Sequence, residues 1–397
     1  MIQIAILGLG TVGTGVAKVV AENKRQIERK LGEPLEVKTV LVRHFKDGLY
    51  RQLMTNDFQK IENDPEIRVV VETIGGVEAA YEYTRRALEA GKHVVTANKQ
   101  LVAEHGCELL ELAKRKNVSY LFEASVGGGI PILHPLTQCM AANRIDEIYG
   151  ILNGTTNYIL TRMVRAGATF QDALREAQEK GYAEADPTAD VEGIDAGRKI
   201  CILGDLAFGR QMDPEAVPME GICKLSLQDV KIAQRAGYRI KLLGRAVRLP
   251  GSGRTAYVAP HLIPEDNPIA NVEDVFNAVM VRGNATGDVM FYGKGAGELP
   301  TASACVADVM ECLQASPRRD EIGWDGGTEG FADPLSLKSR HYFRIAGSLA
   351  DAAAVFGQVE VLSENGETAF LTEAVSGQEA AQLSQSLKVL ACMRVLA

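Results

Sequence analysis

The chain has 397 residues, 46% of them hydrophobic, which is enough apolar material for two or three domains with cores of their own. A formal net charge of −8 without basic clusters argues against a nucleic-acid partner, while leaving room for a local basic pocket that holds a phosphorylated cofactor. Seven irregularly spaced cysteines with no C-x-x-C pair and six scattered histidines point to buried thiols in a reducing compartment and to no zinc site; with no 18-residue apolar run and a strand at its start, the chain is expected to be soluble and cytoplasmic.

Ile2 to Leu7 is a nearly continuous apolar run suited to a buried parallel strand, and it leads into Gly8-Leu9-Gly10-Thr11-Val12-Gly13 and a helical pattern through about Ile27. This is G-x-G-x-x-G in its required strand, turn and helix context. Gly8 permits the tight turn, Gly10 lets the backbone approach a pyrophosphate, and Gly13 lets strand and helix pack closely. A second strand, Val37 to Val42, ends in Arg43 and His44, not in an acidic residue that would take a ribose 2′-hydroxyl. That favours a 2′-phosphate and hence NADP, with NAD as the alternative if Arg43 is merely solvated.

Further βα alternation follows. A strand from Arg68 to Glu72 precedes Thr73-Ile-Gly-Gly76 and a helix to about Ala90, and a strand from Lys92 to Thr96 precedes Ala97-Asn98-Lys99. Such units build a doubly wound parallel sheet whose ligands sit outside the carboxyl ends of the strands, and Lys99 lies just past one of those ends. The next strand, Val118 to Glu123, opens into Ala124-Ser-Val126-Gly-Gly128-Gly-Ile130-Pro131. Three consecutive glycines suit either close approach to a cofactor or coordination of a hard cation by backbone carbonyls.

Past residue 131 the pattern changes to an α+β block: a strand from Arg144 to Leu152, Asn153-Gly-Thr-Thr-Asn157, helices to about Gly181, and strand-rich sequence from Gly244 to Tyr292. Between the helices and those strands, Glu184, Asp186, Asp190, Glu192 and Asp195 lead into Arg198, Lys199 and an apolar helix. Asp195 and Lys199 are spaced i,i+4 and share one helical face. Two charges held against a core are costly unless paired or used, so the segment reads as a polar active site; a surface ion pair beside a solvated acidic loop is the plainer alternative. Residues 316 to 339 turn polar and Gly/Pro-containing and read as a linker. Beyond it come strand patterns at His341 to Ala346, Val359 to Ser363 and Thr368 to Val375, with helices over Leu349 to Phe356 and from about Gln378.

Taken together, Gly8 to Gly13, Thr96 to Lys99, Glu123 to Pro131, Asn153 to Leu160, Gly181 to Pro187, Gly193 to Lys199 and Gly293-Lys-Gly-Ala-Gly297 followed by Pro300 to Ser303 resemble homoserine dehydrogenase. The resemblance runs in the family's order from residue 1 to about 315, and without a preceding aspartate kinase it is to the monofunctional form. It implies a Rossmann-type domain over 1–130, joined by a helix at about 300–315, an α+β catalytic and dimerisation domain over 131–315, and NAD(P)-dependent interconversion of L-aspartate 4-semialdehyde and L-homoserine on the route to threonine, isoleucine and methionine. By resemblance Lys199 is the proton donor and Lys99 its neighbour at the nicotinamide. The resemblance likewise implies that Glu184 and Asp195 bind the substrate and that Gly8, Gly10, Thr11, Val12, Gly13, Arg43, Lys99, Gly181 and Gly297 line the cofactor. The resemblance also implies a monovalent cation, sodium, on the backbone carbonyls of Glu123, Val126, Gly128 and Ile130. Asp186, Asp190 and Glu192 are left as solvated or capping residues. A homodimer or homotetramer is expected.

Residues 340–397 resemble a short ACT module, ferredoxin-like in fold, although Ser348-Leu-Ala-Asp-Ala-Ala-Ala stands where an Asp-x-x-Gly turn is expected. That departure weakens the case for effector control and favours dimerisation. Two readings outside the family stay open, a non-catalytic NADP-binding sensor and another amino-acid oxidoreductase; the pair Lys99 and Lys199 favours the dehydrogenase.

Overall fold

The computed structural model describes residues 1–251, 253–314 and 323–396. The chain divides into two compact units, one of residues 1–144, 201–214 and 293–328, the other of 145–200, 215–292 and 329–397. This cuts across the expected division in chain order. Residues 131–144 and 201–214, expected in the catalytic domain, belong with the nucleotide unit, and 340–397 form part of the second unit instead of a separate domain.

The first unit begins with strand β1 (Ile2–Leu7), helices α1 (Thr11–Glu22) and α2 (Lys24–Leu31), β2 (Leu35–Leu41) and β3 (Met54–Thr55). It continues through α3 (Gln59–Glu62), β4 (Ile67–Glu72), α4 (Glu78–Glu89), β5 (His93–Thr96), α5 (Lys99–Lys116) and β6 (Tyr120–Leu121). The strands order as β3-β2-β1-β4-β5-β6 and every pairing is parallel. That is the doubly wound dinucleotide-binding order, with its switch point between β1 and β4. Ile4, Ile6, Val69 and Val71 are buried in one core, and Ala5, Leu7 and Val70 on the opposite face are buried too, as a sheet covered on both faces demands.

The second unit carries β7 (Ile145–Ile151), α6 (Gly154–Ala166), α7 (Phe170–Glu179), α8 (Thr188–Val191) and the start of α9 (Ile194–Phe208). Next come α10 (Leu227–Arg235), the long hairpin β8 (Tyr238–Arg248) and β9 (Arg254–Pro264), β10 (Phe276–Gly283) and β11 (Gly287–Lys294). Helix α11 (Glu298–Gln314) lies in the first unit, where it adds Ala302, Cys305, Val306 and Val309 to the core around α1. The chain then forms β12 (Lys338–Ser339), β13 (His341–Ile345), α12 (Leu349–Phe356), β14 (Val359–Glu364), β15 (Thr368–Thr372), β16 (Val375–Ser376), α13 (Gly377–Leu383) and β17 (Val389–Val395).

A nine-stranded sheet runs β11-β10-β7-β8-β9-β17-β13-β15-β14. Its last four strands come from a βαββαβ run whose final strand, β17, pairs parallel to β9 on one side and antiparallel to β13 on the other. The helix expected from Gln378 onward therefore stops at Leu383, because Val389–Val395 has two strands to pair with. Helix α12 opens on a capping box in which Ser348 and Asp351 satisfy each other's backbone N–H groups.

The expected linker, whose residues 316–322 lie outside the described residues, is anchored by buried Trp324, Pro334 and Ser339 between residues that are mostly exposed. Trp324 is buried, its ring edge-on to Phe122 at 6.0 Å and its carbonyl accepting from the Cys107 thiol at 3.4 Å. Against the expectation of buried thiols throughout, Cys139 and Cys392 are exposed.

Candidate active site

In the first unit the glycine turn is built for close approach. Gly8 adopts φ +93, which a side chain resists, and a Cβ on Gly13 would lie 2.0 Å from the Gly8 carbonyl oxygen. Gly10 has nothing within 4 Å of the same position and caps α1 without a side-chain bond, so the first N–H groups of the helix, those of Thr11 and Val12 among them, have no side-chain acceptor at the cap. Thr11 is exposed and Val12 half-buried against the core. A pyrophosphate fits this cradle.

Arg43 is exposed two residues past β2. Two neighbours went unread in the sequence. Lys46 Nζ lies 3.5 Å from the Leu9 carbonyl, within the glycine turn, and Arg51 covers the exposed Phe45 ring at 4.4 Å. The G-K-G-A-G turn joins the same unit. Gly297 has φ +125 just before α11, and missing Cβ atoms let Gly15 meet Glu298 and Gly128 meet the Gly295 carbonyl.

Glu123 to Ile130 form a turn with Gly127 and Gly128 both left-handed. The Glu123 carboxylate accepts from the N–H groups of Ile132, Leu133 and His134 at 2.6 to 3.0 Å, while its own N–H donates to Asp308 Oδ2 at 2.8 Å. Burial, with the neighbouring Glu123 second, pushes the Asp308 carboxyl well above the usual range. The side chain of Glu123 is thus used to fix the turn, so a hard cation here would have to be held by backbone carbonyls, of which that of Glu123 already accepts from the Val126 N–H at 3.4 Å. Among the described residues no group of His, Cys, Asp and Glu side chains is disposed to hold a metal ion.

Lys99 is the first residue of α5, half-buried, after Asn98, whose side-chain oxygen caps the helix through the Leu101 N–H at 3.1 Å.

In the second unit the acidic segment folds back on the start of α6. Asn153 caps that helix through Thr156 N–H at 2.8 Å, and its amide nitrogen donates to Asp190 Oδ1 at 2.7 Å and Asp195 Oδ2 at 2.9 Å. Lys199 Nζ donates to the same Asp195 oxygen and to the Leu152 carbonyl, both at 2.7 Å. The pair is buried, with side chains 10% and 6% exposed, so it is not the surface i,i+4 bridge of the plainer reading. Asp190, left as solvated or capping, belongs to this cluster, and the signal for it was the Asn153 amide, which can serve two carboxylates at once. Asp186 does cap, through Thr188, and Glu192 is exposed.

Gly181 turns with φ +73 after α7, and the segment that follows is tethered by Thr155 to the Tyr182 carbonyl and by Gln178 to the Glu184 carbonyl. Glu184 itself is exposed. Lys241, also unread in the sequence, is buried under the motif and donates to Asn157 Oδ1 at 3.0 Å; burial brings its ammonium down to about 8.

A lysine ammonium oriented by a carbonyl and a carboxylate, with a dinucleotide turn in the other unit, suits an oxidoreductase that moves a proton together with a hydride. The comparisons agree. The family profile described as "Homoserine dehydrogenase, NAD binding domain" matches residues 8–123, and "Homoserine dehydrogenase" matches residues 131–310. A homoserine dehydrogenase of Bacillus subtilis is 39% identical, the match spanning 90% of this chain and 85% of that protein. The crystal structure of one from Thiobacillus denitrificans superposes with a TM-score of 0.89 at 39% identity, covering 100% of this chain and 98% of that one. A hyperthermophilic archaeal homoserine dehydrogenase mutant, solved in complex with NADPH, superposes at 0.68 with 28% identity over 80% of this chain and 99% of its own. With residues 8–123 and 131–310 matched and nearly its whole length covered, the chain belongs to the homoserine dehydrogenase family.

Proposed function

We propose that the reaction interconverts L-aspartate 4-semialdehyde and L-homoserine, with NADP as the preferred dinucleotide, and that Lys199 moves the proton. When bound, the nicotinamide supplies or takes the hydride at the substrate's terminal carbon. In the reducing direction the carbonyl oxygen gains negative charge as hydride arrives, and the Lys199 ammonium stabilises that charge and then protonates the oxygen. Leu152 and Asp195 fix the direction of the ammonium. Lys99 adds a second positive group near the same oxygen. Asp195 and Glu184 take the substrate α-ammonium, with Asp190 lending further negative charge through Asn153. The observation that carries this reading is the buried, doubly anchored Lys199.

NADP is favoured by Arg43 past the end of β2 and by Lys46 beside the glycine turn, since a 2′-phosphate and a pyrophosphate need cations. Gly181 and Gly297 would border the cofactor as further backbone walls. Sodium on the carbonyls of Glu123, Val126, Gly128 and Ile130 would stiffen the turn that Glu123 and Asp308 already anchor. The βαββαβ run is read as an ACT-like module, and assembly as a homodimer or homotetramer. The deciding experiment is homoserine-dependent reduction of NADP and of NAD by the purified protein, with sodium replaced by choline in a parallel series and the mass followed by light scattering. Turnover with NADP at lower KM than NAD is expected, and Arg43→Ala should erase most of that difference. No turnover with either cofactor would overturn the reading.

A further inference from the structure

We propose that Glu72 is a positioning residue for Lys99, acting through Thr96 and Asn98. Glu72 ends β4 at the carboxyl edge of the sheet and is fully buried. Its register partner on β5 is Thr96, the last residue of that strand. The Thr96 hydroxyl lies 2.5 Å from Glu72 Oε2 and accepts from the Asn98 N–H at 2.9 Å. The Asn98 amide donates to the carbonyls of Ile74, at 3.2 Å, and Gly76, at 2.6 Å, while the Ile74 N–H returns to Glu72 Oε1 at 2.5 Å. The ring closes on itself and binds two βα turns together, 73–76 and 96–99. Lys99 is the residue that leaves it, with its Cα–Cβ direction set by the capped start of α5.

A carboxyl is an expensive way to fill a buried strand end. The charge of Glu72 is felt by the Tyr120 hydroxyl of β6 and the Cys305 thiol of α11, and burial raises its own pKa to about 7 against the hydrogen bonds from Thr96 and Ile74. An apolar residue would pack there at lower cost but could not bridge an N–H on one turn and a hydroxyl on the other. What Glu72 achieves is therefore geometric, and the geometry ends at Lys99.

The proposal rests on the reading of Lys99 as a group at the reacting oxygen, and a double-mutant cycle separates the two. Misplacing a reacting group by about 1 Å can cost on the order of 10²-fold, so Glu72→Ala is expected to lower kcat by about 10-fold or more while KM for homoserine moves less than about threefold. Thr96→Val, which keeps the side-chain shape, should give the same split if Glu72→Ala does not fold. Glu72→Gln, which can still accept from Ile74 and donate to Thr96, should recover most of the loss. In a Lys99→Met background, Glu72→Ala and Thr96→Val should change kcat by no more than about twofold, since coupled sites are not additive. Equal losses in both backgrounds, or unchanged kcat in folded Glu72→Ala and Thr96→Val, would overturn the positioning role and leave the assignment of Lys99 standing. Wild-type kcat in Lys99→Met would remove the assignment of Lys99 and the role of Glu72 with it.

Discussion

At the Gly8–Gly13 turn the polar groups on offer are backbone amides, whereas around Lys199 they are side chains gathered from the cap of α6 and from α8 and α9. The first device works by what is missing: no Cβ at Gly10, none at Gly13, and so an approach that only backbone can make. The second works by what is paired. One amide serves two carboxylates, and one of those carboxylates holds the ammonium. A backbone device should fail when atoms are added, and a side-chain device when charge is moved.

The sharpest break is Lys199→Ala. A positioned general acid contributes about 10²- to 10⁴-fold, so kcat should fall at least 10²-fold, with NADP affinity by fluorescence titration within about twofold of wild type. A variant that keeps its turnover would remove Lys199 from the chemistry. Next in size is the glycine pair. Gly10→Ala has open space around the new methyl, so it should melt like wild type yet bind NADP about 10-fold more weakly, because the methyl stands where the pyrophosphate must approach. Gly13→Ala meets the Gly8 carbonyl and should lose thermal stability as well. If both variants keep wild-type KM for NADP, the turn is only a tight connection.

Smaller effects should follow from moving charge in the second unit. Asp195→Asn leaves the buried Lys199 ammonium without its carboxylate and should raise KM for homoserine about 10-fold with a loss in kcat, whereas Asp190→Asn should raise KM by about threefold and spare kcat. Steady-state kinetics separates the two, and identical behaviour would mean that Asn153 does not distinguish the two carboxylates. The mildest test concerns stability. The folded-state pKa of Glu72 is raised from 4.5 to about 7, so the folded protein binds this proton more tightly than the unfolded chain. Stability from this group is full below about pH 4.5, falls as pH rises through about 7, and is level above; the whole step is on the order of 3 kcal/mol. Urea midpoints of wild type and Glu72→Gln should diverge across that window in favour of the glutamine variant, and parallel pH dependence would show that Glu72 does not titrate there.

The same contrast explains what the sequence made legible. The parallel sheet, the glycine turn and the i,i+4 pair Asp195 and Lys199 follow from local spacing and hydrophobic periodicity. Asp190, Asp308, Lys241 and the Glu72 ring carry their meaning through partners far along the chain, and a carboxylate among five carboxylates has no local mark of its own. The final strand was misread as helix for a related reason. Val389–Val395 is short and apolar, a pattern that periodicity does not resolve, and only its two neighbours β9 and β13 decide it. The unit division departs from the expected one where 131–144 and 201–214 join the first unit and 340–397 the second, and such segments carry no local signal of which core they will join.

The placement of β17 between β9 and β13 has a bearing on how the protein comes to be folded at all. His261 on β9 must wait for Arg394, so the middle of the sheet closes only when sequence-distant segments meet, and closure of that kind is slow. Until then β9 presents a bare edge of N–H and C=O groups, a template for pairing between molecules. Expression at high temperature, or loss of the residues that make β17, is therefore expected to show first as aggregation, ahead of any change in catalysis.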